Sequence, residues 1–237
     1  MLEIEDLSDS KKAALSKHLS TNIKLIFFDI DGTLVDSSVL VPKDVIEQIR
    51  RLQQCGIKMA IASGRPYFAA QYFTNELSLD GAGLFCTGAM LYEPKQKKLF
   101  GKHILTKPEL KQLIELTRGL ELHCELYTEH DYYIEHESLY SDYHAGYLGQ
   151  AASVWSFDTL LASDKEIIKA LIAYEGTVGH EKYRQIQAAL PNLHFAHGHG
   201  ADRPEIYFTS IVSDRVNKPQ AFRQLCEAHG VSSSQVL

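Results

Sequence analysis

The apolar residues of this chain fall first into short runs and then into alternations. Lys24-Leu-Ile-Phe-Phe-Asp-Ile30 places four apolar residues in a row, the mark of a strand covered on both faces, as in a parallel sheet. Residues 42–55 follow with Val45, Ile49 and Leu52 at helical spacing, and Gly56 stands where a C-terminal cap belongs. Ile57 to Ala62 is a second apolar run, ending in Ser63-Gly64-Arg65-Pro66. Proline suits the first turn of a helix, so residues 63–65 form the turn between strand and helix. Gly83 to Cys86 is a short third strand. Strand, helix, strand, helix, strand predicts a doubly wound α/β core. Before it, residues 2–21 are polar and read as a short helix or a loose N-terminal arm.

The pattern changes after Met90. Leu91–Tyr92 and Leu99–Phe100 flank Pro94-Lys-Gln-Lys as a hairpin, and Thr106-Lys-Pro-Glu109 opens a helix with a capping box that ends at Gly119. Residues 122–127 alternate, with Leu122, Cys124 and Leu126 on one face and His123, Glu125 and Tyr127 on the other, which predicts a half-exposed strand turning at 129–131 into 132–135. A strand at 167–173, a helix at 178–190 and closing strands at 193–197 and 205–211 complete an α+β module, a second sheet with one wet face, inserted at 91–211. Residues 218–229 make one more helix, and Val236-Leu237 starts a strand. The expected organisation is an arm at 1–21, a core at 22–90 and 212–237, and the insertion between.

Composition narrows the function. The 237 residues are 45% hydrophobic and 23% charged, in the globular range, and 24 Lys plus Arg against 30 Asp plus Glu leave a net charge of −6. With no basic excess to neutralise phosphates, nucleic acid and anionic membrane are poor partners. The four cysteines make no metal-type pair and no disulfide framework, and the start has no signal-peptide pattern. No apolar run approaches a membrane span, so the expectation is a soluble, cytoplasmic protein.

The chemistry concentrates at Asp29-Ile-Asp31-Gly32-Thr33, at the end of the first apolar strand. That is where open α/β sheets build their sites. Residues i and i+2 of a strand point to one side, so the two carboxylates converge beyond the sheet. One can attack phosphorus while the other serves as acid and then base. Gly32 allows the tight turn. Two acids facing a phosphate dianion call for a divalent cation, and Mg²⁺ suits oxygen ligands. Ser63-Gly64-Arg65 on the neighbouring strand adds a phosphate cradle of hydroxyl and main-chain N–H groups.

From about residue 22 onward the chain resembles the haloacid dehalogenase superfamily of phosphotransferases, and within it the Cof-type (class IIB) phosphatases. The likeness is carried by Phe27-Phe-Asp29-Ile-Asp31-Gly-Thr-Leu34, Ala62-Ser63-Gly64-Arg65, the insertion after the third strand, and Val216-Asn217-Lys218. It implies that Asp29 is a nucleophile forming a phospho-aspartate, and that Asp31 is the acid/base and helps hold Mg²⁺ through its carbonyl. It implies that Ser63, with Gly64 and Arg65, binds phosphoryl oxygens, that Lys218 balances charge, and that the insertion is a C2B-type cap selecting a small phosphate ester, a sugar phosphate or a phosphorylated cofactor. His130, Asp131 and Tyr132 are the substrate candidates in that cap.

Two departures follow from the same likeness. Thr87-Gly88-Ala89 stands where many members carry Asn-Gly-Ala, which puts Thr87 at the site edge. The fourth motif, an acidic pair after the next strand, is not reached by Leu237, so the last core strand is expected to be missing. Leu25–Phe28 would then be an apolar sheet edge open to self-association, and metal affinity would fall. The expected function is Mg²⁺-dependent phosphomonoester hydrolysis, impaired in this chain; the alternative is a catalytically inactive protein that binds or senses a ligand. A signalling receiver, which also uses a strand-end Asp, fits the Asp-x-Asp-Gly-Thr spacing and the insertion less well. His194, His197 and His199 read as polar hairpin tips rather than a metal site, and Tyr140, Tyr143 and Tyr147 as a packing stripe on one helix.

Overall fold

A computed structural model describes residues 22–35, 40–79, 81–200 and 202–237, with only the main chain of Lys218; the arm expected at 2–21 lies outside the described residues. The core opens with strand β1 (Leu25–Phe28), helix α1 (Lys43–Gln54), β2 (Lys58–Ile61), α2 (Tyr67–Glu76) and β3 (Gly83–Phe85). β1 and β2 pair in parallel, Phe28 opposite Ile61, and an Ala62–Leu84 bridge sets β3 beside β2. A Cβ at Gly83 would lie 2.7 Å from the Ile61 carbonyl, so the close approach of these strands requires glycine there. The four-residue apolar run in β1 has the expected cause. Ile26 and Phe28 pack with Ile49 of α1 and Phe73 of α2. Phe27 packs on the other face with Leu225 of the last helix, α7 (Lys218–His229).

The hairpin β4 (Met90–Glu93) and β5 (Lys98–Lys102) pairs with β3 and extends the core sheet. The expected start of the insertion at residue 91 therefore moves past the hairpin. At the opposite edge, Lys24 and Phe27 donate to the carbonyls of Gln235 and Leu237, and Leu237 donates back to Leu25. Residues 235–237 thus cover the β1 edge that the sequence leaves open, and Leu25 is fully buried.

The inserted module carries α3 (Lys107–Gly119), β6 (His123–Tyr127), β7 (Tyr132–Ile134), α4 (Leu139–Leu148), β8 (Ser153–Val154), α5 (Phe157–Ala162), β9 (Lys169–Glu175), α6 (Gly176–Ala189), β10 (Leu193–His199) and β11 (Ile206–Ser213). Its sheet runs β10-β11-β9-β6-β7-β8. One face packs with α3, α5 and α6 through Leu113, Phe157 and Ile186. The other face is not wet as expected. Tyr127, Tyr132, Leu171 and Ala173 pack with Leu148 of α4 and with Phe68 and Ala69 of core helix α2, so Glu125 and Tyr127 are fully buried. Among the described residues no helix is long and apolar enough to cross a membrane.

Candidate active site

The parallel register of β1 and β2 brings their carboxyl ends level, and both chemical motifs begin there. Past β1 the chain folds into a tight turn: Thr33, Leu34 and Val35 donate to the Ile30 carbonyl, and Gly32 donates to Val35. Gly32 sits at φ +73°, the left-handed region a glycine occupies freely. The Asp29 carboxylate accepts the Ile30 N–H at 2.8 Å and is open to solvent at the crevice. Its pKa is raised: crowding against the protein pushes it up, the Asp31 charge adds to that, and the Ile30 N–H and Arg65 oppose.

Past β2, the Ser63 hydroxyl accepts the Arg65 N–H at 3.2 Å, which closes the turn 63–65, and Arg65 is buried. Its guanidinium does not face outward as a free phosphate ligand. It grips Asp31 with two hydrogen bonds, Nε to Oδ2 at 3.0 Å and Nη2 to Oδ1 at 2.6 Å. It also reaches the inserted module, donating to the Tyr147 carbonyl at 3.0 Å and lying 3.9 Å from the centre of that ring. Lys169 comes from the module in the opposite direction and donates to the Gly64 carbonyl at 3.2 Å. Burial lowers its pKa against the pull of nearby acids. Two cations thus bridge core and insertion at the turn 63–65.

Between the two halves lies a cavity of about 370 Å³. Asp31, Gly64, Arg65 and Thr87 line it from the core; Tyr147, Lys169 and Ser210 line it from the module. Thr87, at φ +58°, is held over Gly64 by a 3-10 turn.

The structure therefore brings together Asp29, Asp31, Ser63, Gly64, Arg65 and Thr87. Lys218 opens α7 behind the Asn217 cap, which accepts the Gln220 N–H; the Lys218 side chain is outside the described residues. His130, Asp131 and Tyr132 do not line the cavity. They sit on the β7 side of the module sheet, away from its β9, β10 and β11 wall. His130 is exposed, the Asp131 main chain closes its turn on Thr128, and Tyr132 is buried against Tyr127 and Phe68. The sequence pattern missed Lys169, His144, Tyr147 and Phe208. Tyr143 and Tyr147 do share one stripe of α4, but that stripe faces the cavity; His197 and His199 also border it. His197 is held by Tyr183 and Thr209, and His199 by the Pro204 carbonyl.

Behind this wall is a buried polar cluster. Glu125 takes His144 Nδ1 at 2.7 Å, His123 Nε2 at 3.0 Å and the Tyr127 hydroxyl. Burial alone would raise the Glu125 pKa, and the two imidazoles reverse that to well below the usual carboxylate range. The cluster fixes His144 at the cavity.

Comparison with known proteins places this geometry among relatives. The sequence profile of the haloacid dehalogenase-like hydrolases matches residues 26–237. The chain is 21% identical over 225 residues to the 5-amino-6-(5-phospho-D-ribitylamino)uracil phosphatase YitU of Bacillus subtilis, covering 92% of this chain and 80% of that one. In structure it is similar to a haloacid dehalogenase-like hydrolase from Bacteroides thetaiotaomicron, with a TM-score of 0.77, 22% identity, and 90% and 80% of the two chains covered. It is also similar to the subclass IIB sugar phosphatase BT4131, with a TM-score of 0.75, 18% identity, and 90% and 78% covered.

Proposed function

Because this chain belongs to the haloacid dehalogenase-like hydrolases, and within them sides with phosphatases, we propose that it hydrolyses the phosphomonoester of a small metabolite, a sugar phosphate or a phosphorylated cofactor, through Asp29. The observation that carries this reading is that Asp29 and Asp31, past the end of β1, stand beside the turn 63–65 past the end of β2, with Asp31 gripped by Arg65 and Asp31, Gly64 and Arg65 lining one cavity. An Asp29 oxygen attacks phosphorus and the ester P–O bond breaks, while Asp31 gives its proton to the leaving oxygen. Water then attacks the phospho-aspartate, Asp31 takes its proton, and the Asp29 O–P bond breaks. Both Asp31 oxygens are occupied by Arg65 before substrate arrives. An arriving phosphate dianion offers the guanidinium a second partner, which frees Asp31 to carry the proton. Ser63 and the main chain of Gly64 cradle the phosphoryl oxygens beside the Arg65 guanidinium, and Lys218, opening α7, balances their charge.

The donor set suits Mg²⁺. Asp29 offers a solvent-open hard oxygen beside Asp31, although among the described residues no three acids, cysteines or histidines gather as a metal site. Mg²⁺ is commonly held by one or two carboxylates with water and substrate oxygens. Asp29 and the Asp31 carbonyl would hold it, and it would supply charge neutralisation at the phosphate. Asp29→Asn is expected to reduce phosphate release from 4-nitrophenyl phosphate with Mg²⁺ to background; turnover like the unaltered chain's sinks the assignment. The sparse acid set favours a second reading, a protein that binds phosphate without hydrolysis. Phosphate binding by the unaltered chain, with Mg²⁺ and no turnover, supports that one.

A further inference from the structure

We propose that the inserted module carries a second hydrolytic site, in which Ser138 is the nucleophile, His123 its base and Glu125 the group that orients His123, and that its substrate is a small carboxylic ester without negative charge. The three side chains form one chain of contacts. The Ser138 hydroxyl lies 3.0 Å from His123 Nδ1, and His123 Nε2 lies 3.0 Å from Glu125 Oε1. Glu125 is fully buried, and the two imidazoles around it favour its ionised form. A carboxylate only accepts, so neutral His123 carries its hydrogen on Nε2 and its lone pair on Nδ1. The Ser138 O–H therefore donates to Nδ1, in the order of nucleophile, base and orienting acid that activates a serine. Helix capping does not account for this contact. Ser138 caps α4 by accepting the Ser141 N–H at 3.2 Å, and its own N–H reaches the Ser141 hydroxyl at 2.8 Å. That box is complete without His123.

Ser138 and His123 line a cavity of about 430 Å³ that, among the described residues, shares no lining residue with the cavity between core and module. Phe157 and Leu122 supply apolar lining for an acyl group. Glu121, Glu135 and Glu137 line it against a single arginine, Arg118, which already binds Glu135 and Asp158, so an anionic ester is repelled. The N–H groups that open α4 just after Ser138 have no carbonyl partner within the helix, and they can take the oxygen of a carbonyl as it becomes an oxyanion. In the first step Ser138 Oγ bonds to the acyl carbon while its proton passes to His123 Nδ1. The bond from that carbon to the alcohol oxygen breaks, and the alcohol leaves with the proton. Water then attacks the acyl-serine, His123 takes its proton, and the acid departs as Ser138 regains a proton from His123.

The test treats the unaltered chain with a fluorophosphonate probe, which labels activated serines, and maps the adduct by mass spectrometry; hydrolysis of 4-nitrophenyl acetate is followed in parallel. The expected result is an adduct on Ser138 that is lost when the chain is unfolded in urea, because the activation needs His123 and Glu125 in place. His123→Gln should slow labelling by about 100-fold. Ser138→Asp keeps a capping side chain and removes the nucleophile, so it should abolish the adduct and the acetate hydrolysis together. No adduct on Ser138 in the folded chain overturns the proposal. Equal labelling in urea, or in a folded His123→Gln chain, overturns it too, as does an unchanged rate of acetate hydrolysis in Ser138→Asp. The comparison of folded and urea-treated unaltered chain decides even where the variants do not fold.

Discussion

At the scale of single residues, the charged groups that matter are those buried with partners. Glu125 is fully buried, and its carboxylate holds His123, His144 and Tyr127. Removing one member of a buried charged cluster leaves the others uncompensated, so Glu125→Gln is expected to lower unfolding stability by about 3 kcal/mol, read by urea denaturation. A loss within error would show that the imidazoles do not depend on its charge. Because its folded pKa is depressed, this stabilisation is present above the unfolded value of 4.5 and is lost as the pH falls below it. His229 acts in a different window. Burial lowers its pKa from 6.5, and its Nε2 meets the Ala82 carbonyl at 2.7 Å. The unfolded chain then binds a proton more readily than the folded one. Stability should fall as the pH drops below about 6.5, with His197, also lowered by burial, adding to the slope. Melting temperatures between pH 7.5 and 5.5 should drop less steeply in His229→Gln; an unchanged slope would remove His229 as a cause.

At the scale of elements, local signals and tertiary signals separate cleanly. The capping box at Thr106 formed as its residues predict, Thr106 accepting the Glu109 N–H and the Glu109 carboxylate taking the Thr106 N–H. Thr106→Ala should cost about 1 kcal/mol in thermal unfolding, and no change would show that α3 is held by packing alone. The parallel strands were legible because burial on both faces writes continuous apolar runs. The two-residue β8 and six-residue α5 had no legible period, being shorter than the windows in which a period shows. The alternation in β6 gave the two faces correctly and their surroundings wrongly. A polar face reads as solvent when its partners, here His144 of α4 and His123 of its own strand, are not yet placed against it.

At the scale of the whole molecule, two crossings join core and insertion, at 103–105 and 214–217. Arg215 ties them: its Nη2 donates to the Ile104 carbonyl at 2.7 Å and its Nε to the Ser213 hydroxyl at 2.7 Å. Arg215→Ala should speed thermolysin cleavage beside Ile104 and Leu105 relative to the unaltered chain, mapped by mass spectrometry; equal cleavage rates would show that the crossings do not need the tie.

The sequence by itself determined the α/β core, the inserted α+β module and the strand-end meeting of Asp29 and Asp31 with Ser63-Gly64-Arg65, because each depends on residues near one another in the chain or on strand periodicity. Only the tertiary structure decided that Arg65 holds Asp31 and lies on Tyr147, that Lys169 reaches Gly64 across 105 positions, and that Phe208, His144 and Gly198 share a wall. These contacts join side chains from distant elements, and their positions are set by how two sheets pack, which no local spacing encodes.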